Sequence, residues 1–460
     1  MLGKLKIPII ILLTAVISSA LTLTLIEPKS MTTASSDEKF EKLFSTYETI
    51  KKEYYQDTND TKLVDGAING MVESLDDPYS DYMNQKEAKS FDDNISSSFE
   101  GIGAEVQEID GKIMIVSPIK GSPAEKAGLK PRDKILKVDN KSIEGMSVNE
   151  AVMLIRGEKG STVDLVVERD GSGQMDFTIT RDTIPLETVY FEVEDNVGKI
   201  QITKFSESTA EELKKAVEEL ESKNVKGLVL DLRQNPGGLM DQAILMSDMF
   251  VPKGKTIMQV ENKDGSKEVY KAENDPITDL PSVVVVDKGT ASAAEIMAAA
   301  LYQSARIPVV GEKTFGKGTI QTAQTFNDSS SVKFTIAKWL TPNGEWIHEK
   351  GFKPQVKASL PEFASLPYLD PKKGMKPGDS GEEVKTAQKM LNALGYKEMK
   401  EEGFFDESTK SQVKAFQADH KLSASGELNE ETIIKLMEAL QKMIAENDVQ
   451  IEKAIEVLKK

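Results

Sequence analysis

One serine, one lysine and a pair of glycines carry the chemistry this chain can do. Ser292 follows a run of four valines, Val283 to Val286, and a short turn through Gly289. An alanine-rich segment opens at Ala293. The valine run is short, β-branched and apolar, as suits a strand covered on both faces. The alanines after it are strong helix formers. Ser292 therefore falls at a strand-to-helix turn, where the helix N-terminus favours developing negative charge. Taken alone, such a serine reads more readily as a helix cap than as a nucleophile. Lys317 lies 25 residues further on, in Phe315-Gly316-Lys317-Gly318, with no carboxylate among its nearest sequence neighbours. An exposed lysine keeps its proton at neutral pH and is no base, but burial in an apolar setting lowers its pKa.

Exclusion narrows the mechanism. The 460 residues contain no cysteine and only two histidines, His348 and His420. Thiol catalysis, a disulfide framework and cysteine-based zinc sites are ruled out. A zinc peptidase needs about three ligands, usually His-rich, and no His-Glu-x-x-His occurs. No phosphate loop of the form Gly-x-x-x-x-Gly-Lys-Ser/Thr occurs either. No motif supports His348 as the base of a triad, and it reads as an ordinary surface or packed residue. Serine with a neutral lysine is the remaining form of nucleophilic catalysis. It calls for no metal and no cofactor. A net charge of −17 argues against a nucleic-acid partner, since phosphate binding wants basic patches.

The rest of the chain must position these residues. Residues 7–26 are almost unbroken in apolarity, about the 20 residues that span a hydrocarbon core. Lys4 and Lys6 precede them and Glu27 follows, which places the remaining chain outside the cytoplasm. The length of the run and the lack of an Ala-x-Ala site favour an uncleaved single-pass anchor in the cytoplasmic membrane. A cleaved signal peptide, giving a secreted protein, is the alternative. Residues 1–28 are thus anchor or signal, and 29–36 a Ser/Thr-rich linker.

Residues 37–96 hold two helices, 37–56 and 61–75, with apolar residues at spacings of three and four, then a polar connector at 79–92. They serve either as a packing or homodimerising module or as a cap on the neighbouring domain. Residues 97–184 turn to short strands with glycine punctuation. Ser147 and Glu150 form a capping box at the start of one helix there. From 185 to 360 strands and helices alternate, which argues for an α/β core with crossover helices. Proline, glycine and lysine mark a linker at 361–379. Residues 380–445 carry three helices, and 446–460 a charged helix with a solvated face. The expected fold class is multidomain α+β.

Three resemblances attach to these segments. The motifs Gly101-Ile102-Gly103, Ser122-Pro123-Ala124-Glu125-Lys126-Ala127-Gly128-Leu129, Asp133-Lys134-Ile135 and Ile155-Arg156-Gly157 make 97–184 resemble a PDZ domain of the bacterial protease type. The resemblance implies that backbone N–H groups of Gly101, Ile102 and Gly103 take a peptide's C-terminal carboxylate, with the peptide added as a strand at a sheet edge. Residues 380–445, through Gln388, Leu391, Leu394-Gly395-Tyr396, Gly403-Phe404-Phe405-Asp406 and Val413-Lys414-Ala415-Phe416-Gln417, look like a three-helix peptidoglycan-binding domain. Glu402 and Phe405 depart from that domain's usual pattern.

Finally, Asp231-Leu232-Arg233-Gln234-Asn235-Pro236-Gly237-Gly238, Gly289-Thr290-Ala291-Ser292-Ala293-Ala294-Glu295 and Phe315-Gly316-Lys317-Gly318-Thr319-Ile320-Gln321 follow the PDZ segment in that order. Together they resemble the carboxy-terminal processing (tail-specific) serine proteases. By that resemblance Ser292 is the nucleophile, Lys317 the general base and Gln321 its support. The N–H groups of Gly238 and Ala293 form the oxyanion hole. Arg156 couples the PDZ domain to the core. Ala294 stands where several relatives have serine. Gln321 is four residues past Lys317, so it reaches the lysine only if the backbone there is helical or sharply bent.

Overall fold

The computed structural model describes residues 38–109, 111–169, 171–396 and 399–460. The anchor expected at 7–26 lies outside them. Among the described residues no helix is long and apolar enough to cross a membrane. Helices α1 (Glu38–Glu53) and α2 (Asp60–Glu73) form where the apolar spacing places them. Several of their large apolar side chains point outward, with Phe40 56% and Phe44 66% exposed. The stretch expected as a polar connector is instead structured, as β1 (Asp81–Met83) and α3 (Gln85–Ser96). Its start signal is in the sequence: Asn84 caps α3, and Glu87 returns the bond to the Asn84 N–H.

The PDZ-like segment begins with β2 (Ser98–Gly101) and continues through β3 (Ala104–Ile109), β4 (Lys112–Pro118), α4 (Pro123–Ala127), β5 (Lys134–Val138), β6 (Lys141–Ser142), α5 (Val148–Ile155), β7 (Thr162–Arg169), β8 (Gly173–Thr180) and β9 (Asp182–Pro185). Its main sheet runs β3-β4-β5-β7-β8, which leaves β3 at an edge. The Ser147–Glu150 capping box forms as expected. Strands β2 and β9 pair antiparallel as a two-stranded neck between this domain and the rest.

The core follows as β10 (Val189–Glu194), β11 (Val197–Ile202), α6 (Thr209–Ser222), β12 (Gly227–Asp231), α7 (Met240–Asp248), β13 (Thr256–Asn262), β14 (Lys267–Lys271), β15 (Ser282–Val286), α8 (Ala293–Ala305), β16 (Val309–Gly311), β17 (Thr319–Thr325), β18 (Ser331–Leu340) and β19 (Val356–Lys357). One sheet runs β10-β11-β12-β15-β16-β19 and is parallel apart from β10. A second, antiparallel sheet joins β1, β18, β13 and β14, with β17 also on β18. Helix α8 is walled in, and every residue from Ala293 to Leu301 is buried. A helix so enclosed is apolar nearly all round, Glu295 being the exception, and alanine lets its neighbours come close.

The strands of the parallel sheet alternate between two faces, as a period of two requires. Leu228, Leu230, Val284 and Val286 join the main hydrophobic core with α6, α7 and α8. Val229, Val283 and Val285 face the other way and pack with Ile451 and Ala454. Those two belong to the last described helix, and this corrects the expected solvated helix at 446–460.

The preceding module folds as α9 (Glu382–Ala393), α10 (Glu407–Asp419) and α11 (Glu430–Glu446) around its own core. Helix α12 (Val449–Leu458) then returns to the peptidase-like core. Arg233 clasps it, donating to Asp448 Oδ1 and Gln450 Oε1, both at 3.0 Å. The expected linker at 361–379 is also partly structure: Leu369 and Met375 are buried in the module core, and Met375 bridges to Leu428.

Candidate active site

Ser292 sits between β15 and α8 with φ 55° and ψ −118°. A non-glycine residue in such a region stores roughly 1–3 kcal/mol of strain and persists only when its surroundings over-determine it. They do. The Thr290 hydroxyl donates to Leu232 O at 2.8 Å, and Ala291 N–H donates to Asn235 O at 2.9 Å. The Ser292 N–H donates to Glu295 Oε2 at 2.8 Å.

The Gly237–Gly238 turn packs straight onto this elbow. A Cβ at Gly237 would lie 2.6 Å from Ala291 O, and one at Gly238 only 2.0 Å from Phe205 O. Both glycines have positive φ, 95° and 146°, so glycine is needed for space and for conformation. Buried Asn235 fixes the turn, taking the Gly237 N–H at 2.8 Å and donating to Ile202 O at 2.7 Å. Among the described residues, the N–H groups of Gly238 and Ala293 donate to no protein acceptor.

Lys317 lies on the loop before β17. Both tryptophans of the chain hold its backbone: Trp339 Nε1 donates to Lys317 O at 2.7 Å and Trp346 Nε1 to Gly318 O at 2.9 Å. The Lys317 ammonium lies 4.9 Å from the centre of the Tyr79 ring. Burial holds its pKa below the ordinary lysine value; the charge of Lys333 adds to this and Asp77 opposes it. Ser292, Ala293, Gly238, Lys317 and Gln321 all line one cleft of about 570 Å³.

Glu295 ties the two halves together, and sequence reasoning missed it. Its carboxylate is fully buried. Oε2 accepts the N–H groups of Ser292 and of Lys317, at 2.8 and 2.9 Å. Oε1 accepts the Gly316 N–H at 2.8 Å and the Thr314 hydroxyl. Burial pushes its pKa up, and the four bonds oppose that. Its position three residues into a helix, after a serine, was the available signal.

Gln321 reaches the cleft by a route of its own. The β17–β18 register shifts between Ile320 and Gln321, with Ile336 of β18 as the extra, unpaired residue. Its amide nitrogen donates to the hydroxyls of Thr319 and Thr335 at 2.9 and 3.0 Å. Among the described residues no hydrogen bond joins it to Lys317. Thr335 in turn donates to Asp77 at 2.6 Å, so the segment bearing Tyr79 is latched to the same strand. His348 is occupied structurally: Nδ1 accepts the Gly318 N–H at 3.3 Å and the ring stacks on Trp346.

In the PDZ-like domain, Gly101 ends β2 and the loop enters edge strand β3. Gly103 has φ 73°, and a Cβ there would lie 2.5 Å from Ser122 Cβ. Among the described residues the N–H groups of Ile102 and Gly103 have no protein acceptor. Arg156 packs beside Phe99 and Gly101 of β2. Its guanidinium lies 4.5 Å from the centre of the Phe99 ring, in the neck.

A peptidase core beside a PDZ domain is the class of protein that this fold and cleft define, and comparison with known proteins gives the same class. The chain matches Peptidase family S41 over residues 196–358, a PDZ domain over 114–169 and a putative peptidoglycan-binding domain over 380–436. The activating protease CtpB N-terminal domain matches over 15–87. Carboxy-terminal processing protease CtpA of Bacillus subtilis is 60% identical, covering 99% of each chain. CtpB of the same organism is 43% identical over 92% of this chain and 89% of its own. Among solved structures, the photosystem II D1 C-terminal processing protease is 32% identical, covering 69% of this chain and 88% of its own with a TM-score of 0.42. The chain belongs to peptidase family S41, the carboxy-terminal processing proteases, and is a serine peptidase with a PDZ domain.

Proposed function

We propose that Ser292 and Lys317 form a serine–lysine dyad that cleaves the C-terminal regions of exported or membrane proteins at the cell envelope. The observation that carries this reading is the Glu295 brace, which joins the strained serine elbow to the loop of a desolvated lysine. Neutral Lys317 Nζ takes the proton of Ser292 Oγ as the oxygen attacks the scissile carbonyl. The Gly238 and Ala293 N–H groups stabilise the tetrahedral oxyanion. The Lys317 ammonium then protonates the leaving amine, and water activated by the regenerated amine hydrolyses the acyl-enzyme. Gln321 orients the site from β17 through its threonine partners.

The PDZ loop at Gly101–Gly103 holds the substrate's C-terminal carboxylate, with the peptide laid along edge strand β3. The module at 380–445 holds peptidoglycan. Residues 7–26 anchor the protein in the cytoplasmic membrane as a single pass with the catalytic part outside, secretion after signal cleavage being the alternative. The exposed apolar stripe of α1 and α2 pairs two copies.

The test is Ser292→Ala. Purified variant is expected to lose peptide cleavage, and cells carrying it are expected to retain unprocessed C-termini by mass spectrometry of exported proteins. Unchanged cleavage would show the site assignment to be wrong.

A further inference from the structure

The charge of the cleft is the reverse of the charge of the chain. The protein carries a net −17. Among the described residues, the cleft around Ser292 is lined by Lys204, Lys317 and Lys333 and by no aspartate or glutamate. Lys317 is accounted for as the base, and Lys333 helps to lower its pKa. Neither Lys204 nor Lys333 has a part in the proton transfer itself.

Both flank α3, which forms one wall. Lys204 Nζ donates to Asn94 O in the last turn of that helix. Helix ends attract cations, so this bond has a structural purpose. It uses one of three N–H donors. Lys333 comes from β18 and lies 5.3 Å from the centre of the Phe91 ring, one turn earlier on α3. Asp81 is its cross-strand partner on β1, yet no ion pair joins them within 4 Å. Lys204 has no ion-pair partner either among the described residues. It is partly buried, and burial lowers its pKa with no anion to offset the effect. Holding a desolvated ammonium without a counter-charge is costly, and an incoming carboxylate would relieve that.

We propose that Lys204 and Lys333 form a specificity subsite for an acidic side chain, Asp or Glu, within a few residues of the scissile bond. The proposal rests on the serine–lysine reading of the same cleft. In that reading the substrate's terminal carboxylate is already held at Gly101–Gly103, so the carboxylate that meets these lysines belongs to a side chain. The position also fixes the side of the bond. Helix α3 ends at Ser96 and the neck starts at Ser98. In the proposed binding mode, a peptide running from the PDZ loop to Ser292 follows the neck to the end of α3 before it reaches the serine. The acidic residue therefore lies between the scissile bond and the captured C-terminus.

The test uses peptides with one common C-terminus, differing only by Glu or Gln at each position on that side of a mapped cleavage site. Wild type is expected to favour the Glu peptide at one position by about tenfold in kcat/KM, the scale of one charge-assisted hydrogen bond. The ratio should fall to near one in the Lys204→Gln, Lys333→Gln double variant and survive in the Lys204→Arg, Lys333→Arg variant. The ratio is read within each enzyme, so changes in overall rate do not affect it. Where a variant does not turn over, the affinities of the same peptide pair are compared in a Ser292→Ala background. A ratio near one at every position in wild type, or a preference that persists without the lysine charges, overturns the proposal. Cleavage of the Gln peptide by Ser292→Ala would instead overturn the dyad, so the two failures are distinguishable.

Discussion

Lys317, the proposed base, has the demanding task at the residue scale, because only its neutral form can accept a proton. Burial lowers its pKa and Lys333 adds to this. Activity is therefore expected to rise with pH through a single ionisation below the ordinary lysine value, and to be lost on the acid side as the amine protonates. A kcat/KM profile from acid to alkaline pH checks this. A histidine-controlled bell would contradict it, and Lys317→Arg should be inactive at every pH because guanidinium stays charged. Glu295→Gln provides a second check. The substituted amide presents an N–H₂ to backbone N–H donors, so two of the four bonds are lost. We expect a loss of about 3 kcal/mol in stability by denaturant titration. We also expect a fall in kcat of roughly a hundredfold, since misplacement by about 1 Å suffices for that. Ser292, Lys317 and the glycine pair were legible from type and spacing. Tyr79, Lys204 and Lys333 were not, because each reaches the cleft from a distant part of the chain with no local motif. Gln321 was half legible: the need for a bend was clear, but its threonine partners were not.

Elements explain why those residues stay in place. Helix α8 has Ser292 at its head and is buried from Ala293 to Leu301, so the proposed nucleophile is mounted on a tightly packed part of the core. The turn at Gly237–Gly238 is fixed at one end by Asn235 and begins four residues after Arg233 of the Arg233–Asp448 clasp. Gly238→Ala forces the turn away from Phe205 O. We expect kcat to drop by roughly 10²–10³, the cost of losing one oxyanion donor, with folding retained by circular dichroism. Asp448→Ala leaves Arg233 with fewer partners in a half-buried site. Thermal unfolding should show a destabilisation of roughly 2–4 kcal/mol. The βα rhythm of the core, the PDZ-like strands and the three module helices were all readable. The antiparallel edge strands β10, β14 and β17 were missed, since short, largely polar strands at an edge carry weak periodicity; the interior strand β13 was missed as well. The apolar spacing of α12 at Ile451, Ala454, Ile455 and Leu458 was present but diluted by the charges between.

Over the whole molecule, two surfaces remain to be satisfied. The outward apolar face of α1 and α2 predicts self-association: residues 38–460 should sediment as a dimer, and Phe44→Glu should shift them toward monomer. The other surface is satisfied in an unusual order. The second face of the parallel sheet is covered by α12, which follows the entire wall-binding module in the chain. That module is thus not an appendage but an insertion into the peptidase domain, with both of its ends tied to the core. A chain emerging vectorially exposes Val229, Val283 and Val285 until α12 arrives. Arg233, on the loop that leads into the Gly237–Gly238 turn, takes its Asp448 and Gln450 partners from the start of that same helix. The core of the peptidase domain is therefore closed only by chain that lies beyond the module.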